Sequence, residues 1–209
     1  MTATPTSVPT TGGHVPTLRE PVHRTADELQ AFLPALLTAP REVGAVRLVV
    51  ARPGPGAREV LGEGRLDAEF GLVGDDWSVR GNRHTADGGP HPLMQVTVVN
   101  DGLAAFLAGD PTRQPLVGDQ LHVDLDLSHE NLPAGSRLAI GEPGTGGAEL
   151  EVTEAPHTGC AKFVTRFGAE AMAFVNGRTG RPLRLRGLNA RVVVPGRVRP
   201  GDPVHVRRP

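Results

Sequence analysis

Apolar and polar positions follow two kinds of spacing along this chain. Leu29, Phe32, Leu33, Leu36 and Leu37 recur at helical intervals, and Thr25-Ala-Asp-Glu28 ahead of them has the spacing of a capping box. A helix over residues 26–38 is predicted, with Pro34 inside it as the source of a kink. After it the periodicity shortens. Strand-like runs cover 45–51, 59–66, 94–99, 120–126, 137–140, 149–154, 190–194 and 203–206, each bounded by Gly, Pro, Asp or Asn. Two more helices are expected, one after Asn100 carrying Leu103, Phe106 and Leu107, and one after Gly168 carrying Ala171, Met172, Phe174 and Val175. Many short strands with Gly and Pro between them point to a mainly β chain with a few helices, in the α+β class. They favour a closed or nearly closed β-barrel over a parallel α/β sheet.

Composition narrows the partners. At 209 residues the chain suits one domain, with residues 1–20, rich in Thr, Pro and Gly, read as a flexible arm and 21–209 as the domain. Aromatics are 3% with no Tyr, so stacking platforms for nucleic acid are missing and none is expected as a partner. The formal net charge of −1 gives no global steering, and any anion-binding surface has to be local. No apolar run approaches the ~20 residues of a membrane span, so no membrane partner is expected. A single cysteine excludes an internal disulfide, and the first residues lack the segments of a signal peptide. A cytoplasmic, reducing setting follows as the expectation.

Candidate chemistry centres on that cysteine. Cys160 stands in His157-Thr158-Gly159-Cys160-Ala161-Lys162-Phe163, beside the chain's only lysine. A thiolate is a nucleophile and a metal ligand, and cations at His157, Lys162 and Arg166 would favour that form. The competing reading is a cysteine buried for packing. A second constellation, Trp77-Ser-Val-Arg80-Gly-Asn82-Arg83-His84, offers two guanidinium groups and an imidazole on a Gly-rich loop, suited to a phosphate or equally to solvent. In the third, Arg184-Leu-Arg186-Gly-Leu-Asn189, alternation predicts a strand with Arg184 and Arg186 on one face. Arg186 and Asn189 are the preferred ligand contacts there because Gly187 permits close approach. The Gly-Asp pairs at 74–75, 118–119 and 201–202 read as turns, with Asp75 the one expected to do more. No histidine pair has helical metal-ligand spacing and no Gly-x-Ser-x-Gly elbow occurs.

An ordered set of motifs adds a resemblance. Gly71-Leu-Val-Gly74-Asp75, Leu138-Ala-Ile-Gly141, Leu150-Glu-Val-Thr-Glu-Ala-Pro156, Cys160 with Lys162-Phe163, and Arg166-Phe167-Gly168 come in turn. Arg186-Gly-Leu-Asn-Ala-Arg-Val192 and Pro195-Gly-Arg-Val-Arg-Pro-Gly-Asp202 close the series. Residues 45–206 thereby resemble a MOSC domain, the module named for the C-terminal part of molybdenum-cofactor sulfurases, of stand-alone bacterial type. The resemblance implies a mixed, pyruvate-kinase-like β-barrel whose cysteine carries sulfur as a persulfide or ligates molybdenum held by a pterin. Cys160 would be the catalytic or metal-bound group. Arg80, Asn82, Arg83, His84, His157, Thr158, Lys162, Arg166, Arg186 and Asn189 would line the cofactor. Relatives include sulfurase modules and reductases of N-hydroxylated compounds, so both sulfur transfer and molybdenum-dependent reduction are open, as is a non-catalytic module binding a small anion.

Either activity needs a separate protein, a sulfur donor or a reductase, because the chain carries no flavin or iron–sulfur signature. Pyridoxal phosphate is not expected: Lys162 is the only lysine, and its place by the cysteine does not resemble a pyridoxal site. The chain departs from the commoner Pro-Arg-x-Pro-Cys run by having His157 and Gly159 in place of the Arg and the second Pro, and Ser128-His-Glu-Asn131 only echoes the Gly-Glu-Asn segment of one branch.

Overall fold

The computed structural model describes residues 23–82, 85–142 and 144–209; the arm read over 1–20 lies outside them. The elements run α1 Ala26–Leu36, β1 Val43–Ala51, β2 Glu59–Leu61, β3 Gly64–Asp67, β4 Gly71–Leu72, β5 Val96–Asn100, α2 Asp101–Ala108, β6 Leu121–Asp124, β7 Arg137–Ile140 and β8 Ala148–Val152. They continue with α3 Ala161–Phe167, α4 Ala169–Asn176, β9 Leu188–Val194, β10 Gly196–Val198 and β11 Pro203–Arg207. Single 3-10 turns cover Pro92–Met94 and Pro111–Val117.

Seven strands close a barrel in the order β1, β11, β7, β8, β9, β5, β6 and back to β1. Every neighbouring pair is antiparallel except β5 and β6, which makes the barrel mixed. A parallel pair needs a crossover, and α2 with the Pro111–Val117 turn supplies it. Inward positions are Val and Leu: Val46, Val49, Leu121, Leu138, Leu150 and Leu188 form one apolar interior. A second core lies between α1, α2, α3 and α4 and gathers Leu29, Leu103, Phe163, Phe167 and Phe174.

The capping box at Thr25 and Glu28 is formed in both directions, and α1 runs through Pro34 for only two more residues. Phe32 of α1 stacks on Phe106 of α2 with ring centroids 4.0 Å apart. Asn100 caps α2 by accepting from the Leu103 amide at 3.0 Å.

Two expectations are corrected. The run 59–66 is two strands, because Gly62 and Glu63 form a bend, after which β2 stays on β1 while β3 pairs with β4 and β10 in a small separate sheet. The Arg184–Asn189 segment is not one strand. Arg184 and Arg186 lie in the turns before β9, where Arg184 has φ 47° and Gly187 φ 103°, so the extended alternation that was to set them on one strand face is absent. The helix expected after the cysteine loop is present as two, α4 after Gly168 where the spacing put it and α3, which starts directly after Cys160.

Candidate functional site

Cys160 is the N-cap of α3. Its carbonyl accepts from the Phe163 and Val164 amides, while its side chain makes no capping bond and is exposed. That exposure rules out the packing reading of the cysteine.

The thiol opens on a cavity of about 480 Å3 whose walls include Arg52, Arg58, Arg80, His157, Lys162, Arg166 and Arg186. These cations differ in how far they are neutralised. Arg52, at the end of β1, is clamped by Asp75, whose fully buried carboxylate takes Nε at 2.8 Å and Nη2 at 2.9 Å. The same carboxylate accepts from the Arg52 and Trp77 amides, so the Gly74-Asp75 turn fixes a cation rather than merely reversing the chain. Arg80 stands 3.5 Å from Asp76 at the rim.

Arg186 donates to Asp119 at 2.6 Å, and the other oxygen of Asp119 accepts from His157 Nε2 at 2.7 Å. Burial alone would raise the Asp119 carboxyl, but the Arg186 guanidinium and His157 hold it well below the usual carboxylate range. His157 is pushed below its ordinary value by burial and by Arg186, against the attraction of Asp119. It is therefore neutral near pH 7, with its proton on the Nε2 that faces the carboxylate. Arg186 also lies 5.2 Å over the Phe163 ring, which ties this cluster to α3.

Arg58, Lys162 and Arg166 have no carboxylate partner among the described residues. Arg166 donates to the Leu116 carbonyl at 2.7 Å and Arg58 to the Ala57 carbonyl, while Arg58 Nε is buried with no partner. Burial, with the charges of Arg166 and Arg52, lowers the Arg58 guanidinium from its ordinary value. An exposed thiol beside three cations without carboxylate partners, in a cavity whose only acid among the described residues is Asp76, is a place for an anion.

Of the residues singled out in the sequence, Arg80, His157, Cys160, Lys162, Arg166 and Arg186 share this cavity. Thr158 faces the neighbouring one. Asn82 belongs to a turn in which its amide reaches the Gly88 and Gly89 carbonyls, and it is not among the cavity's walls. Asn189 donates to the Ala155 carbonyl at 3.1 Å and anchors the stretch before the cysteine. Arg83 and His84 lie outside the described residues. Arg52 and Arg58 were missed: the only local signal was the polar residue ending the apolar run of β1. Among the described residues no group of three or more His, Cys, Asp or Glu is placed to hold a metal ion, and no helix is long and apolar enough to cross a membrane.

No family model and no curated protein matches the chain. Solved structures do. The YuaD protein from Bacillus subtilis is similar with a TM-score of 0.54 at 19% identity, over 78% of this chain and 95% of that one. YiiM from Geobacillus stearothermophilus is similar with a TM-score of 0.51 at 13% identity, over 78% and 75%. This chain shares their fold. At these identities the likeness extends to the barrel and stops there, and the cationic cavity is a finding of this chain's own residues.

Proposed function

We propose that the chain is a MOSC-type protein whose working group is the Cys160 thiol, which carries sulfur or ligates the molybdenum of a pterin cofactor. The observation that carries the reading is the exposed lone thiol in one cavity with Arg58, Lys162 and Arg166, cations without carboxylate partners. The motif order from Gly71 to Asp202 and a barrel like that of YuaD support it.

The donor set fits such a cofactor, since a thiolate is a soft ligand and the orphaned Nε of Arg58 awaits an acceptor that a phosphate or an oxidised pterin edge provides. Cys160 would hold the metal, with Arg58, Lys162 and Arg166 on the anionic groups. Bound there, the cofactor would supply electron or oxygen-atom transfer. The chain's own contribution is fixed geometry: Asp75 locks Arg52, and Asp119 locks His157 and Arg186. In sulfur carriage the Cys160 thiolate takes the outer sulfur of a donor persulfide and the donor thiolate leaves, with no net oxidation. The donor, or a reductase in the redox case, is a separate protein.

Metal and pterin analysis of protein from a cofactor-competent host, with mass spectrometry of Cys160 after a persulfide donor, tests the proposal. Molybdenum with pterin that is lost in Cys160→Ala, or one added sulfur on Cys160, is expected. Neither result, with phosphate still bound saturably, would leave a non-catalytic anion-binding module instead.

A further inference from the structure

Arg184 is accounted for by neither the barrel nor the thiol cavity. It is 9% exposed, and it is the only non-glycine residue with positive φ among the described residues. Its Nη1 donates to the Leu132 carbonyl at 2.6 Å and more distantly to Leu127 at 3.4 Å. No carboxylate pairs with it among the described residues, and burial pushes its guanidinium down to about 10. A largely buried cation without a counter-ion is unfavourable, and so is a left-handed backbone at a non-glycine residue. Both costs fall on one residue. The remaining nitrogens, Nε and Nη2, make no protein hydrogen bond and are not sealed from solvent. They form the edge of a guanidinium that matches the two oxygens of a carboxylate.

Two cavities meet at Arg184 and His129. One, of about 280 Å3, is walled by leucines and contains Asp126 and Glu130, both already on Arg41; those acids disfavour an anion. The other, of about 350 Å3, is lined by Arg181 and Thr158, with Glu154 its only acid among the described residues. His157 and Arg186 form the wall that it shares with the Cys160 cavity.

We infer that this second cavity binds a small organic carboxylate, taken by the Nε and Nη2 edge of Arg184 with Arg181 and Thr158 as further donors. The inference is independent of the chemistry at Cys160, because the site has its own cations and opening.

Titration calorimetry and amide shift mapping with succinate, succinamide and sulfate test it. Succinate is expected to bind saturably, with shifts centred on 156–158 and 180–187, and succinamide and sulfate about tenfold more weakly or not at all. Arg181→Gln, an exposed position that leaves the core intact, is expected to weaken succinate about tenfold, and Arg184→Lys, which keeps the charge but loses the planar edge, to abolish it. Cys160→Ser and Arg58→Gln are expected to leave succinate binding unchanged. No saturable succinate binding, sulfate binding as tight as succinate, or succinate binding lost in Arg58→Gln and kept in Arg181→Gln would overturn the assignment.

Discussion

The Arg186 guanidinium donates to the Asp119 carboxylate at 2.6 Å, across a sequence separation of 67 and with neither side chain more than 9% exposed. One bond thus ties the segment after α2 to the turn before β9 behind the cysteine. Removing its acid leaves a buried cation unpaired. Asp119→Ala is expected to lower unfolding free energy by about 3–5 kcal/mol, measured by urea denaturation. Asp119→Asn, which keeps the shape and an acceptor but not the charge, should lose nearly as much; an Asn variant as stable as the parent would contradict the ion-pair account.

Acid should weaken the fold by a route that the histidines set. Burial lowers both His157 and the fully enclosed His122, so the unfolded chain binds their protons more readily than the folded one does. Their contribution is complete above the unfolded value of ~6.5 and shrinks as pH falls below it. Asp119 acts in the same direction further down: its stabilisation is present above the ordinary carboxylate range and is lost as pH falls through its depressed folded value. The melting temperature is therefore expected to fall from about pH 7 to about pH 5, and to fall less in His157→Gln.

Gly187 is needed for two reasons at once. Its φ is 103°, and a Cβ there would collide with the Val98 carbonyl oxygen and press on the His157 ring at 3.2 Å. Gly187→Ala is expected to cost about 1–3 kcal/mol in thermal unfolding, and to shift the imidazole resonances of His157 as the ring is displaced.

How much of this was legible in the sequence depended on range. The capping box of α1 and most barrel strands are local patterns, and they formed where the spacing put them. Cys160, Lys162 and Arg166 lie within the first two turns of one short helix and came to one cavity together. Arg52 and Arg58 reach the same cavity from more than 100 residues earlier in the chain, and nothing local marks them. Arg184 and Arg186 were misread because alternation counts as a strand only where the backbone is extended; the glycines at 177, 180 and 187 and the proline at 182 turn the chain instead.

Arg58 and Arg166 repel each other across the thiol cavity. Arg58→Gln is expected to leave stability unchanged or to raise it by a few tenths of a kcal/mol, while weakening phosphate in the thiol cavity several-fold. Loss of both stability and binding would mean that Arg58 is structural.

The central claim is that Cys160 is presented to anions by Arg58, Lys162 and Arg166. Because the chain has one cysteine, alkylation reports on it alone, and the ratio of rates with anionic iodoacetate and neutral iodoacetamide reads the local field directly. The ratio is expected to exceed that of free cysteine by about tenfold at low salt, to fall with added salt, and to collapse in the Arg58→Gln, Lys162→Gln, Arg166→Gln triple variant. A ratio equal to that of free cysteine, unchanged by salt and by the triple variant, would contradict it.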